Sequence, residues 1–133
     1  MRNFLKYAVV ILLALGAISC EKASNENLYS IVTIKINLPD SSKFISMQVD
    51  MSVNGNFFKN YNNGLTYDIP TFTNNSATMM VQKGVYYFSF DGTAKFADGT
   101  TKKIRCAEFN SPNNGVELID DQVVIETKGL ILQ

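Results

Sequence analysis

From Ile45 to Val53 the chain reads ISMQVDMSV, with Ile45, Met47, Val49, Met51 and Val53 on one face and Ser46, Gln48, Asp50 and Ser52 on the other. A period of two suits an extended strand with one buried face; a helix repeats its faces every 3.6 residues and cannot use it. The same alternation returns in Tyr29 to Leu38, where Val32, Ile34, Ile36 and Leu38 share a face, and in Val85 to Phe90, where Tyr86, Phe88 and Phe90 do. Between these runs stand residues that tolerate positive φ and reverse the chain: Asn54-Gly55, Asn62-Asn63-Gly64 and Asp98-Gly99. Shorter extended runs are predicted at Asn56 to Tyr61, Leu65 to Ile69, Ala77 to Val81, Thr93 to Phe96, Thr101 to Phe109, Val116 to Leu118, Gln122 to Thr127 and Leu130 to Leu132, with Thr71 to Ser76 a polar loop. The expected fold is all-β, an antiparallel β-sandwich of seven to nine strands, with Asn56 to Tyr61 pairing back on Phe44 to Val53.

Ahead of this region lies a different kind of sequence. Arg2 and Lys6 precede an apolar run, Tyr7 to Ile18, and Ala17, Ile18 and Ser19 stand directly before Cys20. The run falls short of the roughly 20 apolar residues that a spanning helix needs, and a basic start, a short apolar core and small residues at the cut make a secretory signal. Residues 1–19 are therefore expected to be removed, 20–28 to form a polar tether, and 29–133 to be the single β domain. LGAISC resembles the lipobox of bacterial lipoproteins, in which a cysteine just after the cut receives a diacylglycerol; Ala17 stands where that family usually has Leu. The resemblance implies lipidation at Cys20, with the membrane as partner through that lipid, and residence at the outer membrane on its periplasmic or surface side. Acyl chains at about 0.8 kcal/mol per CH₂ suffice for anchoring, so the domain needs no membrane-binding surface to be retained. In its Asn-rich, His-free composition the β region is similar to small lipoproteins of Bacteroidota-type bacteria.

Charge and residue usage exclude several functions. The chain has 12 basic and 12 acidic residues, and losing Arg2 and Lys6 leaves 10 against 12, so there is no basic excess for nucleic acid. With no His, the commonest general base and the commonest transition-metal ligand are missing, and neither a metal site nor a cofactor is expected. Cys106 lies in a predicted strand and is expected to be a small buried hydrophobe. Asp50, Asp68, Asp91 and Glu117 could meet in space as a hydrolase would require, whereas the neighbours Asp120 and Asp121 point to opposite faces of an extended chain.

Gly84-Val85-Tyr86, opening an aromatic strand after a turn, resembles the G-x-Y step of carboxypeptidase-regulatory-like, or prealbumin-like, domains. That resemblance implies an immunoglobulin-like topology over about Ser30 to Thr127 and no functional residue. Between Asn54 and Phe72, five aromatics (Phe57, Phe58, Tyr61, Tyr67 and Phe72) alternate with amides, the pairing of ring area and directional bonds that a glycan or a partner protein would use. Lys59 resists burial, so Phe57 and Tyr61 are expected to face outward and Phe58 inward. Phe57, Tyr61, Asn62 and Asn63 are the candidate contact surface, with an envelope protein or a glycan as partner. The expected role is that of a non-catalytic accessory, adhesion or interaction module; the alternatives are a carbohydrate-binding lipoprotein of a glycan-uptake system and a carboxylate hydrolase.

Overall fold

The computed structural model describes residues 28–133, almost entirely as strand and turn. The signal sequence, Cys20 and nearly all of the tether lie outside the described residues. The longest element, β6 (Gly84–Lys95), merges two predicted strands into one of twelve residues. Tyr86, Phe88, Phe90 and Ala94 point inward along it and are 0 to 1% exposed. Gly92 keeps the alternation going because a Cβ there would strike the Met47 side chain at 2.6 Å.

Each edge of β6 is served by two strands in succession, all antiparallel to it. On one edge β2 (Ser46–Val49) pairs with its far half and β3 (Phe57–Asn60) with its near half. On the other edge β7 (Thr101–Cys106) and β8 (Val116–Leu118) divide it in the same way. From β2 the sheet continues through β4 (Phe72–Thr73), β5 (Ser76–Gln82) and β1 (Tyr29–Asn37) to β9 (Gln122–Lys128), and from β7 it ends in β10 (Leu130–Leu132). The two ends of the sheet, β9 and β10, are joined by the single residue Gly129. Ends that meet through one residue require the sheet to curl round its own core. A Cβ at Gly129 would lie 2.7 Å from the Ile36 and Leu38 side chains, so only glycine lets this crossover lie against the interior.

The fold is all-β, as the alternation implies. Within that class the described residues form a sheet of ten strands that is mixed, because β9 pairs with β1 in parallel, Ile31 opposite Gln122 through Asn37 opposite Lys128. The inward side chains of β1, β6 and β7 fill the curl: Val32, Ile34, Ile36, the β6 aromatics, Ile104 and Cys106. Cys106 is fully buried, as expected, and burial pushes its thiol up to about 12, so it is held as the neutral thiol.

Four local expectations are corrected. Asn54-Gly55 does turn the chain, with Gly55 at φ 99°, but it does not make a β2–β3 hairpin; both strands pair with β6 instead. Phe44 to Val53 is cut to the four residues of β2: Phe44 is buried, Ile45 and Val53 are about half exposed, and only Met47 of the expected inward set is fully buried. Leu65 to Ile69 is no strand; it pairs with β3 at the isolated bridge Lys59–Thr66, where Asn60 N–H donates to Leu65 O and Tyr67 N–H to Phe58 O. Thr71 to Ser76 is not a loop but a tight hairpin, β4 to β5, turning on Asn74 and Asn75 at φ 49° and 66°. The side chain of Asn75 does the joining there: its Oδ1 accepts from Phe44 N–H at 2.8 Å, and its Nδ2 donates to the carbonyls of Ile36 and Ser42 at 3.1 and 3.0 Å.

Candidate functional site

Strand β3 sorts its side chains as Lys59 demands. Phe58 and Asn60 turn inward and are fully buried, Phe57 and Lys59 are half-buried on the outer face, and Tyr61 stands exposed just beyond the strand. The Phe58 ring is 5.1 Å from Tyr86 and 5.2 Å from Phe88, part of the central aromatic stack. On the outer side Phe57 meets Tyr87 edge-on at 5.3 Å. Tyr87 was not among the candidates, although its outward position in the alternation of β6 places it beside Phe57. Of the five aromatics between Asn54 and Phe72, Phe58 and Phe72 are core, Phe57 and Tyr67 are half-buried, and Tyr61 alone is exposed.

The amides beside Tyr61 are already employed. Buried Asn60 accepts from the N–H groups of Asn62 and Asn63 at 2.8 and 3.3 Å. Asn62 Oδ1 accepts from Val85 N–H at 2.9 Å, while Asn63 accepts from Leu65 N–H and donates to Gln82 Oε1. Asn62 and Asn63 thus fix the turn that carries Tyr61 and bind it to the corner between β5 and β6. This also explains the glycine of Gly84-Val85-Tyr86: a Cβ at Gly84 would sit 2.7 Å from Asn60 Nδ2 and 2.9 Å from Asn62 Oδ1. Tyr86 completes the corner by donating its hydroxyl to the Gln82 carbonyl at 2.6 Å, and burial pushes its phenol up to about 12.

The carboxylates are partly brought together. Asp50 and Asp91 line one cleft of about 520 Å³ with Gln48, Asn56, Thr93 and Lys103; Asp68 and Glu117 do not line it. The hydroxyl and then the N–H of Ser52 hold Asp50 below the usual carboxylate range. Arg105 does the same for Asp91, through Nε to Oδ1 at 2.9 Å and Nη2 to Oδ2 at 3.0 Å. Both are therefore ionised at neutral pH, whereas a glycosidase pair needs one carboxyl kept protonated as the acid. Asp121 is taken up by Lys83 at 2.6 Å. Among the described residues no group of three or more Asp, Glu, Cys or His is placed to hold a metal, and no helix is long and apolar enough to cross a membrane.

No protein-family model and no curated protein matches this chain. Among solved structures it is similar to a DUF4876 family protein from Bacteroides thetaiotaomicron VPI-5482, at 19% identity and a TM-score of 0.45 over 77% of this chain. The chain spans about a quarter, 24%, of that protein's length.

Proposed function

We propose that this chain is a lipid-anchored, non-catalytic protein of the bacterial cell envelope, attached to the outer membrane through Cys20 and acting by contact rather than by chemistry. The observation that carries the reading is the N-terminal order of basic start, short apolar run, small residues and cysteine, placed directly ahead of a compact β domain. Two properties of the domain support a contact role: its cleft carboxylates are both held ionised, and its thiol is buried. The contact surface is the outer side of β3 and the turn after it, with Phe57 and Tyr61 as rings and Asn62 and Asn63 as the frame that holds them.

A sugar-binding role in glycan uptake draws less support, because a stacking platform needs ring faces open to solvent and Tyr61, at 58%, is the one ring of its segment that is more than half exposed. The anchor is tested by Cys20→Ser in the full-length chain expressed in a Gram-negative host. The parent protein is expected to take up radioactive fatty acid and partition into detergent, and the variant to do neither. A variant that still labels and partitions like the parent overturns the reading.

A further inference from the structure

The turn that carries Tyr61 sits at a particular place: the end of the sheet where the chain arrives from Cys20. Leu28 O accepts from Lys83 N–H at 2.8 Å, which fixes the first described residue to the β5–β6 corner. Tyr61 N–H donates to Val85 O at 2.7 Å, and Asn63 reaches Gln82, so the Tyr61–Leu65 turn meets the same corner. Leu118 pairs with Gly84, which brings Ile119 there too, and Lys83 clasps Asp121 on the β8–β9 connection. Three segments that are far apart in sequence thus converge on Gln82–Gly84. Each of them brings a large apolar side chain to the surface: Leu28 at 47%, Tyr61 at 58% with Leu65 at 44%, and Ile119 at 56% exposed.

We propose that this end of the sheet rests on the bilayer that holds the Cys20 lipid, so that the domain stands on the membrane with β6 rising away from it. The proposal rests on the anchor reading and names the first partner of the surface around Tyr61. Glu21 to Asn27 are seven residues, which at about 3.3 to 3.6 Å each span on the order of 25 Å at most. Leu28 is therefore confined to within that distance of the lipid headgroups, and Tyr61, Leu65 and Ile119 with it. Tethering makes the second contact intramolecular, so side chains too few to bind a membrane from solution suffice to dock a domain already held there. A tyrosine beside leucine and isoleucine suits the membrane interface, where the ring is buried and the hydroxyl stays wet. The charges at this corner include Lys83 and Asp121, which are paired, and Glu117 and Asp120, which have no attraction for anionic lipid; the docking is apolar and indifferent to salt. The anchor retains the protein, and this contact orients it.

The chain has no tryptophan, so a single introduced one reports its own surroundings. Full-length acylated protein carrying Leu65→Trp, or Ile119→Trp as a second reporter, is reconstituted into phosphatidylcholine vesicles with and without brominated acyl chains. Ala97→Trp, in the exposed turn at the far end of β6, is the control. The expected result is a blue-shifted emission for both reporters, quenched about twofold or more by brominated lipid and unchanged by 0.5 M salt, while Ala97→Trp is unaffected. Reporters that stay unquenched, on protein whose acyl chains are verified by mass, overturn the docking and leave the anchor standing; Tyr61 is then open to a glycan or protein partner. A mature protein with no acyl group at Cys20 overturns both.

Discussion

Two stretches of this chain carry the same alternating pattern and meet different fates. Tyr29–Asn37 is a nine-residue strand with every second residue buried, whereas Phe44 to Val53, just as regular in sequence, keeps only four strand residues. The difference lies in what stands on either side. β1 has β5 along one edge and β9 along the other for nearly its full length. β2 has β6 on one side but only the two residues of β4 on the other, and at Asp50 its own sequence offers the backbone something else. Asp50 Oδ1 accepts from both the N–H and the hydroxyl of Ser52, at 3.0 and 2.6 Å, a local turn that competes with the ladder. The chain leaves β6 at Asp50 and returns at Phe57. In the gap Asn56 stands in for the missing strand: its Oδ1 accepts from Asp91 N–H at 3.0 Å and its Nδ2 donates to Asp50 O at 2.8 Å. Alternation proposes a strand; continuous partners on both edges are what keep it one.

The sharpest way to break this comparison is to truncate one apolar side chain in each stretch. Ile34→Ala, in the middle of β1 with the residue fully buried, is expected to cost about 2 to 5 kcal/mol. Met51→Ala, half-buried in the excursion, is expected to cost less than about 1 kcal/mol. Urea unfolding of the β domain measures both. Equal losses would mean that Phe44 to Val53 is a full strand in solution and that the two stretches do not differ.

A smaller effect probes the substitute itself. Asn56→Ala leaves the Asp91 N–H without its partner, which at a part-buried site is expected to cost about 1 to 2 kcal/mol, while the Asp50 carbonyl keeps its bond from Val53 N–H at 3.2 Å. Asn56→Asp keeps the acceptor for Asp91 and should recover part of that loss. Amide exchange at Asp91 is the direct readout: it should speed up in the alanine variant and stay slow in the aspartate one. No change in either would mean that the excursion is held by other contacts.

The same contrast marks what could be read in the sequence. The faces of β1 and β6, the burial of Cys106 and the sorting of Phe58 from Phe57 all follow from side-chain period and the cost of burying a lysine, and these are local properties. The Asp98-Gly99 reversal was legible for the same reason: it joins β6 to β7, with Gly99 at φ 87°. Pairing at a distance left no such mark. Nothing in Tyr29 to Leu38 names Gln122 to Lys128 as its parallel neighbour some ninety residues on. The role of Gly129 follows from the curl and not from its neighbours. Asn74-Asn75 was legible in principle, since two consecutive asparagines tolerate positive φ, but the polar residues around them read as a loop. At the candidate site, the exposure of Tyr61 was readable from alternation. The engagement of Asn62 and Asn63 with the β5–β6 corner was not, because an amide that frames a turn and one that meets a ligand look alike in sequence.

The smallest expected effect concerns the edge of β6 opposite the excursion, at the same level along the strand. Asp91 is bonded through its backbone to Asn56 on one side and through its carboxylate to Arg105 of β7 on the other. Arg105 lowers the Asp91 pKa, so the folded state binds this proton less tightly than the unfolded chain does. The ion pair therefore stabilises the fold above the ordinary aspartate range, near pH 4, and its contribution is lost as the pH falls through the lower folded value. Asp50 and Asp98 are lowered too, by Ser52 and Thr100, and act in the same direction. The parent's acid sensitivity is thus not Asp91's alone, and a difference is needed to isolate it. Arg105→Gln should destabilise only slightly at pH 7, as is usual for a pair this open to solvent, and the loss should shrink as the pH falls below the ordinary aspartate range. Parallel stability curves for parent and variant between pH 7 and pH 2 would show that Asp91 gains nothing from Arg105. In that case this edge of β6 would be held by its backbone ladder with β7, Phe90 opposite Cys106 through Lys95 opposite Thr101, with no help from the ion pair.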